Sequence, residues 1–167
     1  GIANDLYKMF HVLFGGVKGG LAIGTMFMMV AISAMNGLSV AGMAIGATIA
    51  LPEMLRRNYD KRMITGVVQA GSSLGILIPP SVVMVLYGMI ARQPVSKLWM
   101  AGILPGLLMA FLFLIYIYVR CKLQPELGPP LKKEERSVST IEKIRLLKAG
   151  IIPFLIFFFM TGLFLMG

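Results

Sequence analysis

The sequence predicts an all-α polytopic membrane protein that contains a broken transmembrane helix. Composition is the first observation behind this. The chain has 167 residues, 57% hydrophobic and 14% charged, with a mean hydropathy of +0.84. Soluble domains average about 25% charged residues. The second is the segment from Gly71 to Ser81, GSSLGILIPPS, set inside an apolar stretch. Pro79 and Pro80 lack N–H groups, and each ring clashes with the turn before it. Ile78 and Pro79 both precede a proline and are pushed toward extended geometry. In lipid, freed backbone groups are tolerated only where they are buried in protein or line a cavity.

The elements follow in chain order. Residues 1–18 hold a short interfacial helix, capped by Asn4 or Asp5, with Leu6, Met9, Phe10 and Leu13 on one face. Residues 19–55 are two apolar flanks around a polar centre, Ser33 to Ser39. Each flank is about 15 residues, short of the roughly 20 needed to cross. A re-entrant hairpin with its tip at depth fits this, against two ordinary helices joined by an exposed turn. Residues 56–97 hold the basic run RRNYDKR, the broken transmembrane helix (63–91) and a polar turn. Residues 98–122 form a conventional span, with Trp99 at one end and Tyr116 and Tyr118 at the other as interfacial belts, and Pro105 and Gly106 as a kink site. Residues 123–148 read as a cytoplasmic connection. Ser139 and Glu142 match a capping box that would start a short surface helix. Residues 149–167 are a last span.

Charge placement sets the topology. The net charge of +9 falls in short segments between apolar stretches, without a stacking platform for nucleic acid. With the 120–148 connection in the cytoplasm, Arg92 and Lys97 lie outside. The other fourteen of the sixteen basic residues lie inside. A hairpin and a double crossing both return the chain to its own side, so charge does not separate them. Flank length and the polar tip favour the hairpin. Cys121, the one cysteine, has no disulfide partner in the chain and reads as a spectator thiol, at a juxtamembrane position that also permits acylation.

A tip and a helix break at matching depth make two halves of one site. Half-helix N-termini favour anions, and half-helix C-termini with hydroxyl or amide oxygens favour a small cation. The tip offers Ser33, Asn36, Gly37 and Ser39. The break offers Gly71, Ser72, Ser73, Gly75, Pro79, Pro80 and Ser81. We assign Ser33, Asn36, Gly37, Gly75 and Pro79 to a Na⁺ site, and Asn36, Ser39, Ser72, Ser73, Pro80 and Ser81 to a substrate site. None is ionisable, which suits Na⁺ better than a proton relay. The alternative is that the small residues only allow close helix packing. No catalytic set, metal-ligand spacing or phosphate loop is present, so neither enzyme activity nor a cofactor beyond the coupling ion is expected.

The segments GSSLGILIPPSVVMVLYGMI, LPEMLRRNYDKR and LWMAGILPGLLMAFLFLIYIY resemble the large membrane subunit of tripartite ATP-independent periplasmic (TRAP) transporters, over residues 15–122. The resemblance implies an ion-transporter-like elevator fold with inverted repeats, in a bacterial inner membrane. It implies Na⁺-coupled uptake of an organic anion, usually a carboxylate, delivered by a periplasmic binding protein, with a small four-helix membrane subunit as partner. It puts Asn36, Gly37 and Ser39 in the first hairpin tip. Leu74, Gly75, Pro79, Pro80 and Ser81 fall in the adjacent unwound helix. The chain would then be one repeat of a longer protein. Rival expectations are a binding-protein-independent anion symporter of the same broad fold and a membrane scaffold subunit without a substrate.

Overall fold

The computed structural model describes residues 2–14, 16–130 and 140–167, with the backbone only at residues 2–4 and 6. Among the described residues the chain forms α-helices and no strand. They are α1 (Ile2–Phe14), α2 (Gly20–Asn36), α3 (Ser39–Arg56), α4 (Lys61–Ser73), α5 (Val82–Ala91), α6 (Val95–Leu123) and α7 (Thr140–Met166). Single 3₁₀ turns occupy Leu74–Ile76 and Pro125–Leu127.

Helix α2 is the centre. Thirteen of its seventeen residues are buried, so it is covered on all sides rather than along one stripe. It packs against α1, α3, α4 and the 74–76 turn. The approach is close because glycines face it. Met29 meets Gly46 of α3 and Gly71 of α4. One turn on, Ser33 meets Gly42 of α3 and Gly75 after α4. A Cβ at Gly46 would lie 2.6 Å from Met29 Cε, and one at Gly75 would lie 2.8 Å from the Ser33 carbonyl carbon. Gly42-xxx-Gly46 and Gly71-xxx-Gly75 are therefore two small-xxx-small stripes gripping one helix. Such stripes let helices associate in lipid through van der Waals contact.

The N-terminal end of α2 is held by distant groups. Gly19, at φ 74°, offers no side-chain cap. The buried Leu21 N–H instead donates to the Tyr59 hydroxyl at 3.2 Å. The segment after α6 closes over this end. Gly19 N–H donates to Gly128 O (2.9 Å) and Asp60 N–H donates to Leu127 O (3.2 Å). Cys121 is fully buried between Gly19 and Gly128, so the thiol has no surface to offer an acyl donor.

The break occurs where the prolines place it. Helix α4, capped by the Asp60 carboxylate, ends at Ser73, and after the 3₁₀ turn at Leu74–Ile76 α-helical geometry resumes only at Val82. The Pro79–Pro80 bond is cis. Helices α6 and α7 are long and apolar enough to cross a membrane. Few of their residues are buried, unlike the core helices of a soluble protein. At 29 and 27 residues they would span about 43 and 40 Å.

Several expectations change. Helix α2 continues through Ser33 and Asn36, so the polar tip narrows to Gly37 and Leu38 and the hairpin helices have 17 and 18 residues. Ser33 and Asn36 hang from a helix end rather than a loop. Helix α1 packs between α2 and α7 and buries Tyr7 and Met9, while Leu13 is 54% exposed. The side chains of Asn4 and Leu6, and Ser139 of the expected capping box, lie outside the described residues. Helix α7 runs unbroken from Thr140 through Pro153, so the short surface helix expected before residue 148 continues into the last apolar span. Helix α6 likewise continues through Pro105.

Tyr59→Phe should leave the Leu21 N–H buried without an acceptor. That costs about 1–3 kcal/mol. The expected outcome is a lower melting temperature for the full-length protein, read by thermal denaturation in detergent, with Tyr116→Phe on the exposed face of α6 unchanged.

Candidate functional site at the hairpin tip and helix break

The two halves of the site are joined by backbone. Gly37 ends α2 in the left-handed region, φ 67° and ψ 8°, and its N–H returns to Ser33 O (2.8 Å) and Ala34 O (3.2 Å). This αL residue turns the chain into α3 and aims its own carbonyl away from α2. That carbonyl accepts the first N–H of α5, Val82 N–H to Gly37 O at 3.1 Å. The tip thus caps the helix that begins after the break. A Cβ at Gly37 would sit 2.9 Å from Pro80 O and 3.0 Å from Val82 N, so the junction leaves no room for a side chain.

Each assigned residue has a definite place. Ser33 is 0% exposed, between Gly42 and Gly75, and its Oγ has no hydrogen-bond partner. A serine inside a helix ordinarily bonds a carbonyl one turn back. This buried hydroxyl without a partner is the one feature of the tip that packing leaves unexplained. Asn36 is exposed, and its Nδ2 donates to Ile32 O at 2.8 Å, which leaves Oδ1 facing outward from the helix end. Ser39 is half-buried in the first turn of α3, whose N-cap, Leu38, makes no side-chain cap.

On the break side, Ser72 Oγ donates to Gln69 O (3.0 Å) and Ser73 Oγ to Ala70 O (2.8 Å). Both hydroxyls turn back along α4 and keep only acceptor capacity. Ser81 Oγ caps α5 by accepting from Met84 N–H at 3.3 Å. Pro79 is buried and Pro80 half-buried, with Pro80 O against Gly37. The structure therefore brings Ser33, Gly37, Gly75, Pro80 and Ser81 into one junction. Asn36 and Ser39 stand at its exposed rim, and Ser72 and Ser73 lie one turn up α4. The glycine at 75 is explained by Ser33 pressing on it, and that at 71 by Met29.

Two residues were missed. Trp99 was read as an interfacial belt residue. It is 8% exposed, its ring lies 4.6 Å from that of Phe164, and its Nε1–H donates to Ser81 O at 3.3 Å. Ser81 O already accepts the Val85 N–H of α5 at 3.2 Å, and the indole adds a second donor from a distant helix. Gly42 was the other. Its spacing to Gly46 was visible, but not which side chain the pair would face. Helix α6 also presents Gly102 and Gly106 to Leu77 and Ile78 of the break.

Four helix ends meet here. The carbonyl ends of α2 and α4 are the negative poles, and the N–H ends of α3 and α5 are the positive ones. Helix α5 has its first donors satisfied by Gly37 O and Ser81 Oγ, whereas α3 has no side-chain cap. An anion is therefore better served at α3, beside Asn36 and Ser39. Among the described residues no cluster of three His, Cys, Asp or Glu side chains could hold a metal. A cation here would be held by neutral oxygens.

Comparison with known proteins bears on this geometry. A family model described as "Tripartite ATP-independent periplasmic transporter, DctM component" matches residues 1–167. The chain belongs to this family. It is 37% identical over 119 residues to the C4-dicarboxylate TRAP transporter large permease protein DctM of Pseudomonas aeruginosa, covering 71% of this chain and 28% of that protein. It is 32% identical over 117 residues to the ectoine TRAP transporter large permease protein TeaC of Halomonas elongata, covering 70% and 27%. It is 32% identical over 118 residues to the isethionate TRAP transporter permease protein DctMQ of Oleidesulfovibrio alaskensis, covering 71% and 19%. The chain thus spans under a third of the length of the curated relatives it matches.

Gly37→Ala should open the junction between tip and break. A left-handed alanine costs about 1–2 kcal/mol, before the clash with Pro80 O is counted. Gly66→Ala, at a helical position with open space around its Cβ, should instead be neutral or stabilising. Thermal melting of the two variants side by side checks both.

Proposed function

We propose that the chain is part of the large permease subunit of a secondary active transporter in a bacterial inner membrane. The whole protein would take up an organic anion, most simply a carboxylate, delivered by a periplasmic binding protein. A small four-helix membrane subunit would complete the complex. The isethionate TRAP transporter permease protein DctMQ among the relatives, whose name joins M and Q, is in keeping with a second membrane component. Uptake is coupled to Na⁺, and the unit carrying the site moves as a rigid body against a scaffold. The hairpin is re-entrant. At about 1.5 Å per residue its arms would reach about 26 and 27 Å, short of the roughly 30 Å hydrocarbon core.

One observation carries the reading: the buried Ser33 Oγ has no partner and sits at the negative end of α2, beside the tip-to-break bond. An orphaned buried hydroxyl costs about 1–3 kcal/mol, and a small cation at that place would reclaim it. The shell would draw on Ser33 Oγ, the Asn36 amide oxygen and backbone carbonyls near Gly37, Gly75 and Pro79. The substrate carboxylate would lie across the uncapped start of α3, near Asn36 and Ser39, with Pro80 and Ser81 forming the wall behind. Na⁺ would tie tip to break, and that would order the N–H groups around the carboxylate. Ser72 and Ser73 would serve as acceptors only.

Uptake of a carboxylate panel by the full-length complex in proteoliposomes, with its binding protein, tests the function. Accumulation should require an inward Na⁺ gradient. Uptake that ignores the gradient removes the ion site. Ser33→Ala gives a sharper test. It deletes an unpartnered hydroxyl, so melting without Na⁺ should stay level or rise, while the Na⁺ concentration for half-maximal uptake should rise about tenfold, the worth of about 1.4 kcal/mol. An unchanged Na⁺ response would return Ser33 to a packing role.

A further inference from the structure

We infer a second binding site, for an anionic phospholipid, in the groove between α4 and α6. It stands apart from the tip and break. The groove has a volume of about 730 Å³, within the roughly 300–1,000 Å³ of ligand pockets. Its walls are apolar: Met26, Met63 and Val67 on one side, and Leu112, Phe113 and Ile117 on the other. At one end the lining turns polar, with Arg62 from α4 and Arg120 from α6.

The charges at that mouth are complementary to a phosphate. Both arginines are exposed, and among the described residues neither guanidinium has a carboxylate oxygen within 4 Å. Asp60 lines the same mouth, but one of its carboxylate oxygens is taken up in capping α4. Its Oδ1 accepts the N–H groups of Arg62 (3.0 Å) and Met63 (3.1 Å) as the cap of α4. In the topology that charge placement predicts, Arg62 and Arg120 fall on the side with the excess of basic residues. By the charge rule this is the cytoplasmic side. A basic mouth on an apolar cleft between helices on that side is the recognised form of an acidic-lipid pocket. Guanidinium forks suit phosphate oxygens, and apolar walls suit an acyl chain. A soluble dicarboxylate would leave the walls uncovered. The inference rests on the membrane placement of α6 and not on Na⁺ coupling.

The closing experiment uses the full-length complex, with its small subunit, purified in detergent and titrated with phosphatidylglycerol or phosphatidylcholine under native mass spectrometry. The unmodified complex should retain phosphatidylglycerol in preference. Arg62→Gln and Arg120→Gln should each lower its retention about fivefold and together bring it to the phosphatidylcholine level. Gly66→Leu should lower retention of both lipids, because it puts a side chain into the groove at a position where nothing lies within 4 Å of a Cβ. Equal retention of the two lipids by the unmodified complex overturns the site. So does no retention at all, as when another part of the full-length protein fills the groove. Displacement by inorganic phosphate alone would make the mouth a simple anion site. Loss in the arginine variants with Gly66→Leu unaffected would move the headgroup to an open surface patch. Either result also overturns the inference.

Discussion

The close approach of α3 and α4 to α2 is the constraint on which the rest depends. Between helices in lipid no water is released, so association rests on contact between surfaces that fit. Here the fit is knob against gap. Met29 and Ser33, one turn apart on α2, each press on a glycine of α3 and a glycine at or after α4. A methyl group at Gly75 would push against the Ser33 backbone, which cannot rotate out of the way. With α2 fixed on two sides, its C-terminal end reaches the break at a set depth and angle. Only then does Gly37 O meet Val82 N–H.

The junction also explains how a chain can afford a Pro-Pro break in an apolar stretch. Two prolines remove donors, and the unwound carbonyls need partners. Partners come both from the break's own turns and from distant elements. Leu74 O accepts from Leu77 and Ile78 N–H, Gly37 O takes the Val82 N–H, and the Trp99 indole joins Val85 N–H on Ser81 O. The glycines at 102 and 106 let α6 cover what remains. Hairpin, break and the first half of α6 therefore behave as one packed body. Helix α7 makes its main contacts with α1 and touches the junction through Phe164 on Trp99.

Much of this was legible because proline and glycine state backbone requirements directly. The break at Pro79–Pro80, the two arms around Gly37, and the exposed tyrosines of α6 follow from local chemistry. What was not legible involved partners distant in sequence. Ser33 and Asn36 looked like loop residues because polar side chains in an apolar stretch suggest a tip, yet α2 continues through both and only the αL glycine ends it. Trp99 looked interfacial because composition alone cannot see that its indole reaches the Ser81 carbonyl 18 residues earlier. Gly75 was assigned to the Na⁺ site and Gly71 offered as a candidate beside it, when packing on α2 already accounts for both. The surface helix expected before residue 148 and the last apolar span prove to be one helix, because a charged turn followed by an apolar one need not break.

That last distinction bears on the site. A glycine required by packing is no evidence for a ligand, and by that standard Gly71, Gly75 and the glycines of α6 carry none. Ser72, Ser73 and Ser81 spend their hydroxyls within or at the ends of their own helices. Removing these leaves Ser33, buried and without a partner, and Asn36 and Ser39 at the open rim. The remaining three are all on the hairpin, and they flank the one point where the hairpin bonds to the broken helix. A ligand recognised there would feel any change in the separation of the two. This is a property a coupling site needs, and four helix ends and one backbone hydrogen bond suffice to create it without an ionisable side chain.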